Sequence, residues 1–350
     1  TGGNAELAAD GLVAVMRDLY ADAWGPRTND ILHASLLSLA RRGDGSLVHV
    51  PLLLTNAGFR RSVVGRVAAA DPMGLGSFWA WYESISDAER STVIAPLMNK
   101  LRPVLLRPGL RAMLGQTSSK FDLRQMFAAD TDRHPILLVN LAKGELGGDA
   151  ARLVGSMVVS LLWQRALERA QVPASQRPPV MVFIDEVQDY LRLPGDLGDA
   201  LAQARGLGVG FTLAHQHLGQ LPTALKAAIL ANTRSRVCFQ LSHDDAAVMA
   251  RGSDLAAEDF TRLPAFHAYA SLLAGGSPTP YASLATAPLG PATSRARQVR
   301  QRSRERYGQP RSVVEEEWGR LAGAAMGRAA AATDEPSDEQ FGRVRRGDVR

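Results

Sequence analysis

The first 130 residues carry the hydrophobic pattern of a helical protein. From residue 5 to about residue 128, apolar side chains recur every three or four positions, as Leu12, Val15 and Met16 do, which is the period of an amphipathic helix. Prolines separate the periodic stretches, and the apolar-polar alternation of half-buried strands does not occur among them. The pattern therefore predicts an all-helical domain over residues 1–130.

Residues 131–290 have a different pattern, in which short apolar runs alternate with helical periods. An apolar run of this kind, without alternation, is typical of a strand buried on both faces. Strands that alternate with helices form a parallel sheet with right-handed crossovers. The pattern predicts an α/β domain with strands at 136–141, 180–184, 209–214, 237–241, 268–274 and 280–284, and with helices at 149–171, 222–231 and 243–251.

Beyond Leu289 the composition changes to that of a basic tail, residues 291–350. The segment SRARQVRQRSRER, residues 294–306, has arginine at almost every second or third position. Such a run forms either a solvated helix or a surface that contacts nucleic-acid phosphates. The later segment VVEEEWGRLAG predicts one more helix with Trp318 as its anchor, and the chain from Ala329 onward is predicted to be disordered.

Composition excludes several classes of protein. The 350 residues are 46% hydrophobic with a mean hydropathy of -0.09, which describes a soluble globular protein. No apolar run reaches the length of about 18 residues that a membrane span needs, and the N-terminus does not resemble a signal peptide. Cys238 is the single cysteine, which excludes a disulfide framework. The net charge of +5 and the pI near 9.6 indicate either a polyanionic partner or an arginine-rich genome composition.

Two of the predicted strands end in residues suited to phosphate chemistry. Asp185 and Glu186 directly follow the run at 180–184, and Gln216 follows His215 after the next run. Open α/β sheets bind their ligands at the carboxyl ends of the strands. In P-loop nucleotide hydrolases an acid at this place holds Mg²⁺ beside the phosphates, and neighbouring polar groups orient the attacking water. The spacing favours a nucleotide site at this edge of the sheet over a chance occurrence.

Six segments carry a family resemblance. Around the two strand ends they are VMVFIDEVQDYL, LAQARGLGVGFTLAHQHLGQLP and LKAAILANTRSRVCFQLSHDDAAVMAR, and upstream they are WGPRTNDIL, IAPLMNKLRPVL and PILLVNLAKGELG. These segments resemble the HerA/FtsK-like P-loop ATPases, and the most similar branch is that of the TraG-type ATPases of conjugation and type IV secretion. The resemblance covers most of residues 10–310 in consistent order.

The resemblance implies a RecA-like P-loop ATPase core with a mostly parallel sheet, which carries the all-helical domain as an insertion. It also implies ATP and Mg²⁺ as cofactors. Asp185 matches the acid that holds Mg²⁺ through water, Glu186 matches the base that activates the attacking water, and Gln216 matches the phosphate sensor.

Basic residues within these segments are further candidates. Arg205 is the first candidate for an arginine finger that acts across a subunit boundary, a group that can raise the rate by several powers of ten. Arg234 and Arg236 are the alternatives, and a surface ion pair is an equally open role for all three. Lys143 follows the first predicted strand, so it either lines the same face or is an exposed lysine in a turn.

The phosphate-binding loop of such an ATPase is missing from the sequence. A P-loop needs Gly-x-x-x-x-Gly-Lys-Ser/Thr, whose backbone N–H groups cradle the phosphates, and neither LVNLAKGELGG nor the SSK at 118–120 has this order. In the family that the chain resembles, the loop precedes the helical domain, so it is expected upstream of Thr1. We therefore expect a C-terminal part of a longer ATPase that is inactive alone; the alternative is a relative that hydrolyses nothing.

The resemblance implies a ring-forming motor, with a hexamer as the expected ring, that moves DNA or DNA with protein across a membrane. The ring would bind DNA non-specifically through its phosphates. It would lie in the cytoplasm, associated with the inner face of the cell membrane through parts outside this chain, and would meet secretion-channel proteins. Two alternatives stay open, namely a cytoplasmic translocase of the HerA kind in repair or defence, and a non-catalytic interaction module that has kept the fold.

Overall fold

The computed structural model describes residues 5–116, 119–128, 135–192, 197–292 and 295–333. Its first part is helical, as predicted, and the boundary predicted at residue 130 lies outside the described residues. Local capping explains where two of the helices begin, because Asn56 and Ser86 accept hydrogen bonds from backbone N–H groups of the first turn. The helices are α1 (Ala5–Leu19), α2 (Pro26–Arg42), α3 (Val50–Thr55), α4 (Ala57–Ala70), α5 (Ser77–Ser84), α6 (Asp87–Leu105) and α7 (Pro108–Leu114), with a π-helical turn at Pro72–Gly76.

Buried polar side chains fix how these helices pack. The indole N–H of Trp79 donates to Ser38 Oγ at 2.9 Å, which ties α5 to α2 inside the apolar core. The Arg60 guanidinium is buried and donates to Glu83 Oε1 at 2.5 Å. It lies 5.2 Å from the centre of the Tyr82 ring. A buried charge needs such partners because leaving water is costly.

We expect the buried His49 to make the helical domain sensitive to acid. It is 3% exposed in the short 3₁₀ turn Leu47–His49, its Nδ1 accepts a hydrogen bond from Ser46 N at 3.0 Å, and burial lowers the pKa of the imidazole below 6.5. As the pH falls below about 6.5, the unfolded chain therefore takes up this proton before the folded chain does. The stabilisation is complete above that pH and is lost as the pH falls through the lowered pKa.

We expect the thermal midpoint to fall between pH 7 and pH 5 by more in the wild type than in His49→Asn. The asparagine Oδ1 can still accept the hydrogen bond from Ser46 N, but it does not titrate. The change is followed by circular dichroism, with the half-exposed His33→Asn as the control. If the thermal midpoint fell by the same amount in all three proteins, His49 would not be the group that causes the loss of stability in acid.

The second part is an α/β unit built on the parallel strands β1 (Val180–Ile184) and β2 (Val209–Leu213), which pair from Val180 with Val209 to Ile184 with Leu213. The long helix α9 (Gly148–Glu168) covers one face of the pair, where its Trp163 packs in the same core as both strands. The other α-helices described up to β2 are α8 (Lys143–Leu146), α10 (Val187–Tyr190) and α11 (Leu197–Ala204).

Helix α9 also joins the two parts of the chain. Its first turns contribute Leu153 to the core of the helical domain, and further along it packs against α1. There Gln164 Nε2 donates to the carbonyl of Leu7 at 2.6 Å. A Cβ at Gly11 would clash with the Gln164 amide, so glycine allows the two helices to approach closely.

Two predictions about the strands are wrong. Residues 136–141 form no strand, and Ile136 and Leu138 are 83% and 80% exposed. The run at 180–184 is a strand, but it is not buried on both faces, because Met181 and Phe183 are 58% and 73% exposed. Within the described residues β1 pairs only with β2, and α9 covers only one face. An apolar run can form a buried inner strand only where such neighbours exist.

The remaining strands of the described part pair antiparallel. After α12 (Thr223–Asn232), the short β3 (Arg236–Cys238) pairs antiparallel with β4 (His267–Ser271), which pairs antiparallel with β7 (Ala282–Ala285). The connection from β4 to β7 is short and contains the hairpin of β5 (Leu273–Ala274) and β6 (Ser277–Pro278), turned by Gly275 and Gly276 at positive φ. A connection this short permits only antiparallel pairing. Helices α13 (His243–Ala250) and α14 (Ala257–Thr261) separate β3 from β4, and Cys238 is buried in β3, as predicted.

The basic tail forms α15 (Ala296–Tyr307) and α16 (Arg311–Thr333). Helix α16 returns to the helical domain and packs on α4 and α7. Trp318 is its anchor, as predicted, and donates its indole N–H to the carbonyl of Gly115 at 3.1 Å. A Cβ at Gly115 would clash with this ring. The disorder predicted from Ala329 is wrong as far as Thr333, and residues 334–350 lie outside the described part.

Candidate nucleotide site

The two strand ends that carry the predicted site residues meet in the structure. The parallel pairing continues past the strands, because Ala214 N donates to the Ile184 carbonyl and Val187 N donates to the Ala214 carbonyl, both at 2.9 Å. Gln216 Nε2 then donates to Glu186 Oε1 at 2.7 Å. Two residues 30 positions apart in sequence are thus brought into direct contact at the carboxyl edge of the β1–β2 pair.

Glu186 has an unusual backbone conformation for a residue with a side chain. Its φ and ψ are 50° and 53°, in the left-handed region, which costs of order 1–3 kcal/mol and is found mostly at functional sites. Its carboxylate is held at both oxygens, by Gln216 at Oε1 and by Gln188 Nε2 at Oε2, the latter at 2.6 Å. Gln188 was not identified in the sequence analysis. The only signal for it was that a residue with an amide side chain, like Gln216, stands two positions after Glu186.

The carboxylate of Asp185 is exposed to solvent. One oxygen accepts a hydrogen bond from Glu186 N at 3.0 Å, and the side chain is exposed. Across the described ranges no cluster of three or more His, Cys, Asp or Glu side chains could hold a metal ion. Mg²⁺ bound with a nucleotide usually takes one or two carboxylates together with phosphate oxygens and waters. The single exposed carboxylate fits that kind of site, in which phosphates supply the other ligands.

Lys143 lies beside this edge through an ion pair that the sequence did not indicate. Its Nζ is 2.5 Å from Asp189 Oδ2 at the start of α10. The hydrogen bond from Lys143 to Asp189 raises the pKa of the lysine, and the charge of Glu186 adds to the shift. The lysine is therefore near the candidate site, with its charge directed at Asp189.

The turn after β2 is held by contacts that sequence reasoning also missed. Gln220 Oε1 accepts hydrogen bonds from Gln216 N and His217 N at 3.0 and 3.3 Å. The buried Asp245 on α13 accepts one from Leu218 N at 3.0 Å. These contacts fix the backbone that presents the Gln216 side chain.

His215 lies half-buried in the same turn. Burial lowers the pKa of His215, and its Nδ1 has no hydrogen-bond partner in the described part of the chain. A neutral imidazole beside Gln216 adds no charge to the site at neutral pH.

The candidate arginines do not meet these residues within the chain. Arg205 is exposed and precedes β2, so the five-residue strand, roughly 16 Å long, separates it from Gln216. Arg234 donates to the Gly276 carbonyl at 3.2 Å, and Arg236 donates to the Leu230 carbonyl at 2.9 Å. A role for any of them at a site in a neighbouring subunit stays a prediction.

Solved structures of bacterial conjugative coupling proteins have the same fold. TrwB with ADP and Mg²⁺ is similar with a TM-score of 0.60 and 19% identity, over 83% of this chain and 70% of that one. TrwB with the GTP analogue GDPNP is similar with a TM-score of 0.55 and 19% identity, over 80% of this chain and 67% of that one. TrwB with the ATP analogue ADPNP is similar with a TM-score of 0.54 and 17% identity, again over 80% of this chain and 67% of that one. The fold is thus RecA-like and of the α/β class.

The family follows from the sequence itself. The model of the type IV secretory system family for conjugative DNA transfer matches residues 69–250, more than half of the chain. The chain belongs to this family, which confirms the resemblance to the conjugation and secretion branch. No curated protein matches the chain. None of the helices in the described ranges combines the length and apolar character needed to span a membrane.

Proposed function

We propose that this chain supplies the metal-holding and water-activating half of an ATP-driven motor for conjugative DNA transfer. The observation that carries the proposal is the contact of Gln216 with Glu186 across the β1–β2 pair. It links an amide that can bind a terminal phosphate to a carboxylate that can take a proton from water. ATP and Mg²⁺ are the proposed cofactors, in keeping with the ligands of the TrwB structures.

In this proposal each polar group at the strand ends has a separate role. Asp185 would hold Mg²⁺ through water, and the ion would supply positive charge beside the phosphates. Glu186 takes the proton of the attacking water as general base. The Nε2 group of Gln216 has two N–H donors, so one can hold Glu186 while the other donates to a phosphate oxygen. It therefore couples the presence of the terminal phosphate to the orientation of the base.

A phosphate-binding segment must complete the site, because the chain lacks the P-loop order of residues. The uncovered face of the β1–β2 pair supports this requirement. It exposes Met181 and Phe183, and the preceding segment exposes Ile136 and Leu138. Apolar groups so placed are typical of a surface that another segment covers. We propose that the segment precedes Thr1 in the complete protein.

The working assembly in this proposal is a ring, with a hexamer expected, that binds DNA through phosphates without sequence preference. Arg205 would then act on the nucleotide of the neighbouring subunit, which agrees with its distance from Gln216 in its own chain. The motor would lie at the cytoplasmic face of the membrane and meet secretion-channel proteins through other parts of the protein.

The proposal is tested by comparing the 350-residue chain with the complete protein. We expect background ATP hydrolysis from the chain alone and Mg²⁺-dependent, DNA-stimulated hydrolysis from the complete protein. Sustained turnover by the chain alone would contradict the need for another segment. Nucleotide binding without turnover in a complete protein that has a P-loop would favour the non-catalytic module. Hydrolysis with DNA movement, but without any role in transfer between cells, would favour the HerA-like alternative.

A further inference from the structure

Helix α15 carries its arginines in two rows on opposite sides. At about 100° per residue, Arg297, Arg300 and Arg304 fall on one side of the helix, which we name the first arginine row. Arg302 and Arg306 fall about 170° away and form the second arginine row. Every residue of these two rows is exposed.

The two faces between the rows differ in character. One face carries Gln298, Gln301 and Glu305. The other carries Val299 and Tyr307, and the Tyr307 ring contacts Phe121 with centroids 5.2 Å apart. The helix therefore meets the protein near its C-terminal end, while both rows and the glutamine face remain open to solvent.

The charge of α15 is not balanced by the protein. Glu305 is its single acidic residue and accepts a hydrogen bond from Gln301 Nε2 at 2.9 Å. Within the described residues no arginine of either row makes an ion pair. Like charges four residues apart destabilise a helix, and such pairs occur in both rows, with Arg300 beside Arg304. A polyanion on each side would remove this repulsion.

We propose that α15 lies in the major groove of duplex DNA, with one arginine row on the phosphates of each wall. A helix with its side chains is about 10–12 Å across, and the groove is about 12 Å wide. The glutamine face then points toward the base edges. A single strand offers one line of phosphates and engages one row. The inference rests on the proposed function only in taking DNA as the polymer, and it adds that the DNA at this place is double-stranded.

An anionic membrane is a poorer match for the same helix. A helix that lies in a membrane interface buries a broad apolar face. On α15 that face has only the small Ala296 and Ser303 beside Val299 and Tyr307, and Tyr307 is already packed on Phe121.

The test measures binding of the 350-residue chain to a duplex of about 24 base pairs and to one of its strands, by fluorescence anisotropy over a series of salt concentrations. One variant replaces the first row with glutamine, another replaces the second, and a third replaces both. The control replaces three exposed arginines of the helical domain, Arg27, Arg66 and Arg102, and so removes as much charge as the first-row variant. Circular dichroism checks that each protein is folded.

On the duplex we expect either row variant to lower the log–log salt slope by about 0.9 for each phosphate that the variant no longer neutralises, and the two reductions to add. On the single strand either row can serve the one line of phosphates, so replacing one row should change the slope little and replacing both should lower it. The control should keep the wild-type slope on both DNAs.

Three outcomes would overturn the groove position. They are equal reductions on the duplex and the single strand, unchanged slopes in both row variants, or a control whose slope falls as much as those of the row variants. Weaker binding to phosphatidylglycerol vesicles with unchanged duplex binding would assign the rows to a membrane. Hydrolysis by the complete protein is measured separately, so a failure of the groove position leaves the test of the proposed function intact.

Discussion

Replacing Glu186 with glutamine in the complete protein is expected to lower ATP hydrolysis by about 10²–10⁴-fold, the usual contribution of a general base. Nucleotide binding should stay near its wild-type level. The substitution keeps the size of the side chain, and its amide oxygen can still accept the hydrogen bond that Gln216 now donates to Glu186 Oε1. What it removes is the carboxylate that takes the proton from water.

The measurements are steady-state phosphate release and the affinity for a fluorescent ATP analogue. Glu145→Gln is the matched control, because Glu145 is exposed on α8 and makes no contact with the strand ends in the described residues. It should keep wild-type turnover. Near-normal hydrolysis by Glu186→Gln would show that another residue activates the water.

Replacing Trp79 with alanine is expected to destabilise the folded chain by about 3–5 kcal/mol, the usual cost of deleting a buried aromatic side chain. Trp79 is 1% exposed and packs edge-on against Phe78 and Tyr82. Its replacement would leave a cavity and also remove the hydrogen bond that the indole donates to Ser38 Oγ. The free energy of unfolding is measured by urea denaturation.

Trp81→Ala on the same helix is the control. Trp81 lies two residues away, on a different side of α5, and it is only partly buried against the core. Its replacement should cost clearly less than that of Trp79. Equal destabilisation by the two substitutions would show that the unfolding transition does not report on the packing between α5 and α2.

The helical and α/β parts could be predicted because their signals are local. The period of Leu12, Val15 and Met16 follows from the helix itself, and the run at 180–184 shows a strand by its own residues. An apolar run does not show which strands or helices will lie beside it in the fold. Residues 136–141 have the same apolar character, yet no strand pairs with them in the described part of the chain. The antiparallel pairing of β3 with β4 depends on contacts of the same non-local kind.

The same division holds at the candidate site. The contact between Glu186 and Gln216 was predictable, since the carboxyl ends of paired parallel strands meet at one edge. Gln188, Gln220 and Asp245 were not, because each acts through the turn that follows a strand. The pattern of apolar residues does not encode the geometry of such turns, and neither does it encode the left-handed conformation of Glu186.

The contact of Trp318 with Gly115 sets an order of events during synthesis. The two residues are 203 positions apart, so α4 and α7 leave the ribosome well before the helix that covers them. At about 5–20 residues per second, the delay is roughly 10–40 s. Throughout that interval the surface of α4 and α7 that α16 will cover is exposed to chaperones and to other nascent chains. A truncated protein that ends before Arg311 would lack α16 and would leave this surface of the helical domain permanently exposed.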